Sequence, residues 1–299
     1  TDPTRNKTRR LLTACGGLWG IFMLGFLMGG ANGVKQMMSR NFAGFATNSC
    51  FVWNNNTGEA YKGFKKGRAW DMDDNDVKRI KEMVPETDIV TPSLNFWNNT
   101  IGYKDKKIGC KLRGVYPEYT AIESQDMKIG RYINDIDIKQ QRKVCVLGKK
   151  IYESLFPDKT DPCGKFIRVD SIYYEVVGVN YAVSNMSVGG PAEESVTLPF
   201  TTMQKMYNMG NKISLLCITA KAGYKVADLQ DHIEQTVKRA HFLSPKDKQA
   251  VIMVNAESMF NMMDNLFSGI RILSWMVGLG TLLAGAIGVS NIMMVTVKE

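Results

Sequence analysis

The residues able to do chemistry in this chain are few, and their spacing works against a catalytic centre. The only histidines are His232 and His241. Nine residues on a helix leave them on opposite faces, so they do not read as a paired metal site. Asp71, Asp73, Asn75 and Glu82 fall at positions one, three, five and twelve of a calcium-binding loop. Asp76 occupies the position where that loop's sharp turn needs glycine, and Lys78 and Arg79 intrude. Acids capping a helix N-terminus account for the same residues, because a negative charge there offsets the helix dipole.

The fragments LGKK and CGKF fail the phosphate-binding pattern G-x-x-x-x-G-K-[ST], which excludes a P-loop. No G-x-S-x-G occurs, and no cysteine–histidine pair has a group to orient it. Six cysteines, Cys15, Cys50, Cys110, Cys145, Cys163 and Cys217, have irregular spacing and no C-x-x-C, which leaves zinc and thioredoxin-like chemistry unsupported. Cys145 and Cys217 sit in apolar runs, where a buried free thiol is the ordinary state. No catalytic residue, metal ligand or cofactor site is therefore expected, and the chain is not expected to be an enzyme.

The elements that would position any site explain the lack of one. Two uncharged segments bracket the chain, Leu11 to Ala31 and Ile272 to Val297. Each exceeds the roughly 20 residues a helix needs to cross a hydrocarbon layer about 30 Å thick. A cleaved signal peptide is the competing reading of the first, but its uncharged run outlasts the usual apolar core of about 7–15 residues. Arg5, Lys7, Arg9 and Arg10 precede it, which places the N-terminus on the cytoplasmic side and the middle of the chain across the membrane. The composition of 44% hydrophobic and 22% charged residues averages two apolar spans with a polar middle. The formal net charge of +9 is spread among acids, without a basic stripe interleaved with aromatics, so a nucleic-acid partner is not expected.

Small residues recur along both spans. The first has Gly16, Gly20, Gly25 and Gly29; the second has Ser274 and Gly278, then Gly280, Ala284 and Gly288. Small residues four apart share a helix face and let a neighbouring helix approach closely. An amphipathic stretch from Val34 to Phe45 continues the first span. Met259, Met263, Phe267, Ile270 and Leu273 form a helical stripe running into the second. Both spans are thus expected to extend as stalks.

The middle reads as α+β. Asp73 or Asp74 caps a helix of Val77, Ile80 and Val84 between strands at Cys50–Trp53 and Asp88–Leu94. A stripe of Val226, Leu229, Ile233 and Val237 lies between strands at Ile213–Ala220 and Val251–Val254. Between these two strand–helix–strand units, strands are expected at 107–115, 143–147, 166–169, 173–179 and 194–198. The resulting division is residues 1–33 for the N-terminus and first span, 34–271 for the domain, and 272–297 for the second span. Within the domain, an α+β base of 46–106 and 211–255 holds a β-rich insertion of about 107–210. The opening Thr-Asp and closing Lys-Glu suggest a segment of a longer protein.

The second span, AIGVSNIMMVTVKE, closely resembles the signature of the FtsX/MacB superfamily of ABC-transporter permeases. Gly288, Val289, Asn291, Ile292, Met293, Val295 and Glu299 match that pattern. NKTRRLLTACG, from Asn6 to Gly16, resembles the family's cytoplasmic entry to its first span. The middle resembles the MacB-like periplasmic core domain through DNDVKRIKEMVPETDIVTP, RGVYPEY, IGRYI, RKVCVLGKKIYESLF, DPCGKFIRV, YYEVVGV and TLPFTTMQKMY, in that order. Cys145 and Cys163 depart from it, standing where aliphatic or small residues are usual.

The resemblance implies a permease of the bacterial inner membrane, multi-pass, with its large domain in the periplasm. The domain would combine a porter-like part with a β-rich insertion. ATP would be bound by a partner ABC ATPase, fused or separate. A second permease copy and membrane lipid complete the expected surroundings, with a periplasmic adaptor and an outer-membrane channel as further candidate partners. The implied function is efflux or export across the envelope, driven by motion relayed through the spans. A lipoprotein-releasing permease or an FtsX-like regulator of cell-wall hydrolases is the alternative, and an anchored enzyme or adhesin lacks a catalytic constellation to support it.

Overall fold

The computed structural model describes residues 3–41, 44–183 and 187–297, with side chains described except at 3–17, 39–41, 182, 288, 289, 291–293 and 295–297. The chain divides into two compact units, one of residues 1–40 with 260–299 and one of residues 41–259.

The first unit is a pair of long helices, α1 (Pro3–Asn41) and the greater part of α7 (Ala256–Val297). They run antiparallel. Gly20 faces Thr281, Leu24 faces Gly278, and Lys35 pairs with Asp264 at 2.9 Å. The expected stalk at 256–271 lies inside α7 with its apolar run; the expected stretch from Val34 lies in α1 only as far as Asn41, and Phe45 sits in an isolated bridge to Glu123. Among the described residues, one helix, Ala256–Ile287, is long and apolar enough to cross a membrane by length and composition. The other expected span lies in α1, and its side chains through residue 17 are outside the described ones.

The second unit is built on β1 (Ser49–Asn54), β2 (Met72–Asp73), α2 (Asp74–Met83), β3 (Thr87–Tyr103), β11 (Leu215–Ala220), α6 (Val226–Ala240) and β12 (Val251–Asn255). The strands order as β12–β1–β11–β3, all antiparallel. With α2 preceding β3 and α6 linking β11 to β12, this is a split βαβ arrangement used twice. Helix α2 forms because Asp73 and Asp76 make a reciprocal capping box, worth about 1 kcal/mol. Helix α6 presents Val226, Leu229, Ile233 and Val237 on one face, and all four are buried. Each such burial contributes about 1.5–3 kcal/mol. The expected strand Ile213–Ala220 is broken, since β10 (Lys212–Ile213) leaves the main sheet to pair with β2.

Strand β3 is longer than its sequence suggests. Its first half pairs with β11, and from Leu94 onward it pairs with β4 (Lys106–Val115). A register shift between Phe96 and Asn99, with Asn98 at φ 63°, separates its first pairs with β4 from the rest. The insertion between β3 and β11 adds β5 (Gln125–Gly130), α3 (Asp135–Lys139), β6 (Val144–Gly148), α4 (Lys149–Leu155), β7 (Phe166–Val169), β8 (Ile172–Ala182), β9 (Ser195–Pro199) and α5 (Phe200–Met206).

The pairings β3–β4–β9–β6–β8–β7 return to β3 and so close a ring of strands. Directly paired residues share a sheet face. The succession Leu112–Val196–Leu147–Val179, with the pairs Cys145–Val176, Tyr174–Ile167 and Val169–Ile101, therefore lines one interior. All of these side chains are buried. The β-rich insertion is thus a barrel that borrows half of β3 from the base. Closure removes the exposed edges an open sheet would present.

Candidate functional site

The acids and histidines singled out in the sequence form an ion-pair knot rather than a reactive centre. Asp73 caps α2, and the buried Asp76 carboxylate receives His241 Nε2 at 2.8 Å and Arg79 Nη1 at 2.8 Å. Asp73, Asp76 and His241 lie close enough together to suggest a metal site. Arg79, also 3.5 Å from Asp73, fills the place of a cation. Burial alone would raise the Asp76 pKa, but hydrogen bonds from His241, the Asp73 backbone and Arg79 outweigh it and pull it below the ordinary range. Asp71 pairs instead with Lys212 at 2.7 Å. His232 and Glu82 are exposed and apart from this knot. Cys50, Cys110, Cys145, Cys163 and Cys217 are all free thiols, and all but Cys163 are buried.

A buried ion pair of the second unit lies where the chain arrives from α1. Residues Gly44 to Ala46 are stitched to Ile122–Ser124. Ser124 N–H donates to the Gly44 carbonyl at 2.7 Å, and Ala46 N–H donates to the Ile122 carbonyl at 2.8 Å. Phe45 and Glu123 form the bridge between them. Gly44 needs its missing side chain: it sits at φ +79°, and a Cβ would lie 3.0 Å from Val183 and 3.1 Å from Ser124. The buried Phe45 ring rests 5.5 Å from that of Phe51 on β1.

Glu123 turns its carboxylate inward. It accepts from Arg113 Nη2 at 2.8 Å, from the Tyr119 hydroxyl at 2.9 Å and from Ser187 Oγ at 3.0 Å. Arg113 stands on β4 and also donates to the Tyr119 oxygen at 2.8 Å. Arg113 and Glu123 are each 3% exposed, and Tyr119 1%. Burial works against the Arg113 charge, but Glu123 and Tyr119 outweigh it and hold the guanidinium protonated. Burial, then Glu123, drives the Tyr119 pKa far up, so it remains a phenol able to donate. A paired buried charge is tolerated, whereas an orphaned one is strongly unfavourable. The cluster therefore fixes the segment following α1 to a barrel strand. No chemical step is apparent there, since all three groups are sequestered and bonded chiefly to one another.

The departure into α7 is fixed as well. β12 passes directly into the helix, and Asn255 Oδ1 accepts from Ser258 N–H at 3.2 Å. The Glu257 carboxylate accepts from Val226 N–H at 3.2 Å, tying the first turn of α7 to the start of α6.

In the helix pair, a Cβ on Gly278 would lie 2.5 Å from Leu24, and one on Gly20 would lie 3.0 Å from Thr281. Gly25, Gly29 and Gly280 face open space, and Ala284 is exposed. Side chains at Gly16, Gly288, Asn291 and Met293 lie outside the described residues, as does Glu299 altogether. Sequence reasoning did not find Arg113, Tyr119, Glu123 or Ser187. The only local signal was the run RGVYPEY, which spans Arg113 to Tyr119.

This architecture has known counterparts. The family model for the MacB-like periplasmic core domain matches residues 11–236. The chain belongs to that family. Curated relatives named macrolide export ATP-binding/permease protein MacB include one from Aggregatibacter actinomycetemcomitans, 24% identical over 98% of this chain and 44% of its own length. Another, from Rhodospirillum rubrum, is 28% identical over 63% of this chain and 28% of its own. The chain thus spans less than half the length of these relatives.

Among solved structures, the periplasmic region of MacB from Actinobacillus actinomycetemcomitans superposes with a TM-score of 0.58 at 18% identity, covering 75% of this chain and 96% of that one. The extracellular domain of the noncanonic ABC-type transporter YknZ from Gram-positive bacteria gives 0.54 at 18% identity, covering 70% of this chain and all of that one. Both establish a shared fold.

Proposed function

We propose that the chain is the N-terminal permease portion of a MacB-type ABC transporter and works with an ABC ATPase. Helices α1 and α7 cross the inner membrane and place residues 41–259 on the periplasmic side. An ABC ATPase, fused or separate, closes on ATP in the cytoplasm. The helices carry that motion outward, and the periplasmic unit moves substrate already outside the membrane. ATP binds on the partner ATPase; this chain supplies the mechanical parts. A second permease copy completes the assembly, and a periplasmic adaptor and outer-membrane channel continue the route. The open faces at Gly25, Gly29 and Gly280 receive the remaining spans or that second copy.

The observation carrying this reading is that, within residues 41–259, the segment after α1 and the segment entering α7 are each tied into the fold. The chain leaving α1 is stitched to Ile122–Ser124 and locked through Glu123 to Arg113 on the barrel. The chain entering α7 is tied through Glu257 to α6. A domain that was only anchored would need neither tie. Crosslinking the stalk segments 34–45 and 256–271 between the two copies of the full-length transporter tests it. ATP-dependent transport is expected to stop, and undiminished transport in a fully crosslinked sample would sink the relay.

A further inference from the structure

A cleft of about 360 Å³ opens on the barrel between β4 and α4, bordered by Asn98, Ile108, Cys110, Lys111, Ile151 and Glu194. It lies on the periplasmic unit, outside the buried cluster at Glu123. Its volume falls in the range of small-molecule sites, about 300–1,000 Å³. Ile108, Cys110 and Ile151 give it apolar walls, and its charge is unbalanced. Lys150 is paired with Glu194 at 2.9 Å. Lys106 Nζ reaches the Ser154 carbonyl beside the cleft at 3.4 Å. Lys111 is half-buried and makes no contact ion pair among the described residues, feeling the Glu194 carboxylate only from a distance. Its Nζ rests 4.7 Å from the centroid of the exposed Trp97 ring. A cation over an aromatic face is stabilised but keeps its charge. Two ammonium groups, Lys111 and Lys150, therefore line the cleft with the single carboxylate of Glu194, beside an apolar wall.

We propose that this cleft binds an amphipathic molecule carrying a single acidic group, with the acid at Lys111 and the apolar body against Ile108 and Ile151. Occupancy is also communicated to the root of α1. The segment 187–190 touches both places. A Cβ on Gly190 would lie 3.0 Å from Lys111 Nζ, and one on Gly189 would lie 2.6 Å from Asn95 Oδ1. At its other end, Ser187 donates to Glu123. Strand β4 joins them again, with Lys111 and Arg113 two residues apart on one face. A ligand at Lys111 thus presses on a segment hydrogen-bonded to the cluster that holds Phe45. The communication rests on the relay reading above; the binding site does not.

The test uses the full chain in lipid nanodiscs and radiolabelled octanoate, with octylamine and empty nanodiscs as controls. Octanoate should bind above the empty-disc level and displace octylamine poorly. Lys111→Met should weaken binding at least tenfold, and Lys111→Arg should retain it. Ile151→Trp should fill the cleft and abolish it, with unchanged melting temperatures showing that the variants fold. Binding no greater than to empty discs, equal binding in Lys111→Met, or equal uptake of octylamine would each overturn the site and leave the relay untouched. Bound octanoate should also slow hydrogen exchange at the Ala46 amide. Lysine-dependent binding without that slowing would overturn the communication and keep the site.

Discussion

Glu123 and Arg113 are ten residues apart in sequence and meet at 2.8 Å, in an interior where each is only 3% exposed. One belongs to the segment that receives the chain from α1, the other to a barrel strand. Tyr119 and Ser187 complete the carboxylate's hydrogen bonds. Among the described residues Arg113 Nε has no partner, so the pair sits close to the limit of what burial tolerates.

Removing one charge should therefore be worse than removing both. Glu123→Gln leaves the guanidinium buried without a counter-charge and is expected to destabilise the periplasmic unit by about 3–5 kcal/mol. Arg113→Leu combined with Glu123→Leu should cost clearly less than either single change. Urea unfolding followed by tryptophan fluorescence measures all three. A double variant weaker than both singles would show that the charges are not coupled.

Acid should loosen the fold in a defined window. Burial alone would raise Asp76, Asp137 and Asp247, but each is held below its ordinary pKa. For Asp76 the responsible groups are His241, the Asp73 backbone and Arg79; for Asp137, Arg131 and the Asn134 backbone; for Asp247, the amides of Gln249, Gly58, Glu59 and Ala250. A depressed folded-state value means that stability is fully present above the unfolded value of about 3.9 and is lost as pH falls through the lower one. Thermal melting should be level with respect to these groups down to about pH 5 and fall below about pH 4, with Asp76→Asn showing a shallower fall.

The thiols should separate by exposure. Cys50 and Cys110 are pushed up to about 12 by burial, and Cys163 to about 11 by burial and Asp161. Of the five cysteines beyond α1, Cys163 should label first with a maleimide in the native state, and faster as pH rises. Cys50, Cys110, Cys145 and Cys217 should react only on unfolding. Mass spectrometry of the labelled peptides checks the order.

The glycines of the helix pair should divide in the same way. Gly278→Ile would drive side-chain atoms into Leu24 and push the helices apart, at a cost of about 1–3 kcal/mol. At Gly25 an added Cβ meets nothing within 4 Å among the described residues, so Gly25→Ile should leave the pair in place. With Lys35→Cys and Asp264→Cys as a crosslinking pair, the first substitution should lower the yield and the second should not. Loss of transport by Gly25→Ile at normal crosslinking would locate a partner helix on that face.

Much of the base was legible from local pattern. Asp73 announces α2, and the stripe Val226–Leu229–Ile233–Val237 announces α6, because caps and helical periodicity are short-range signals. The strands near 50, 90, 110, 145 and 167 follow from apolar runs between turns. The closure of the insertion into a barrel was hidden, since it depends on Ile101 finding Val169 across 68 residues, which no local pattern encodes. The double use of β3 was hidden for the same reason. So was the Glu123 cluster: a lone glutamate and a lone arginine read as surface until the segments that bury them are in place. The signature ending in Glu299 carried the family, while its side chains lie outside the described residues.

The central claim is that the root of α1 drives the barrel through Glu123 and Arg113. It is tested most directly by Arg113→Leu combined with Glu123→Leu in the full-length transporter, comparing ATP hydrolysis with ATP-dependent transport in the same vesicles. With folding confirmed by melting, hydrolysis should stay within about twofold of wild type, since the two activities are coupled only through the link removed, and transport should fall at least tenfold. Transport at the wild-type rate in the folded double variant would contradict the account.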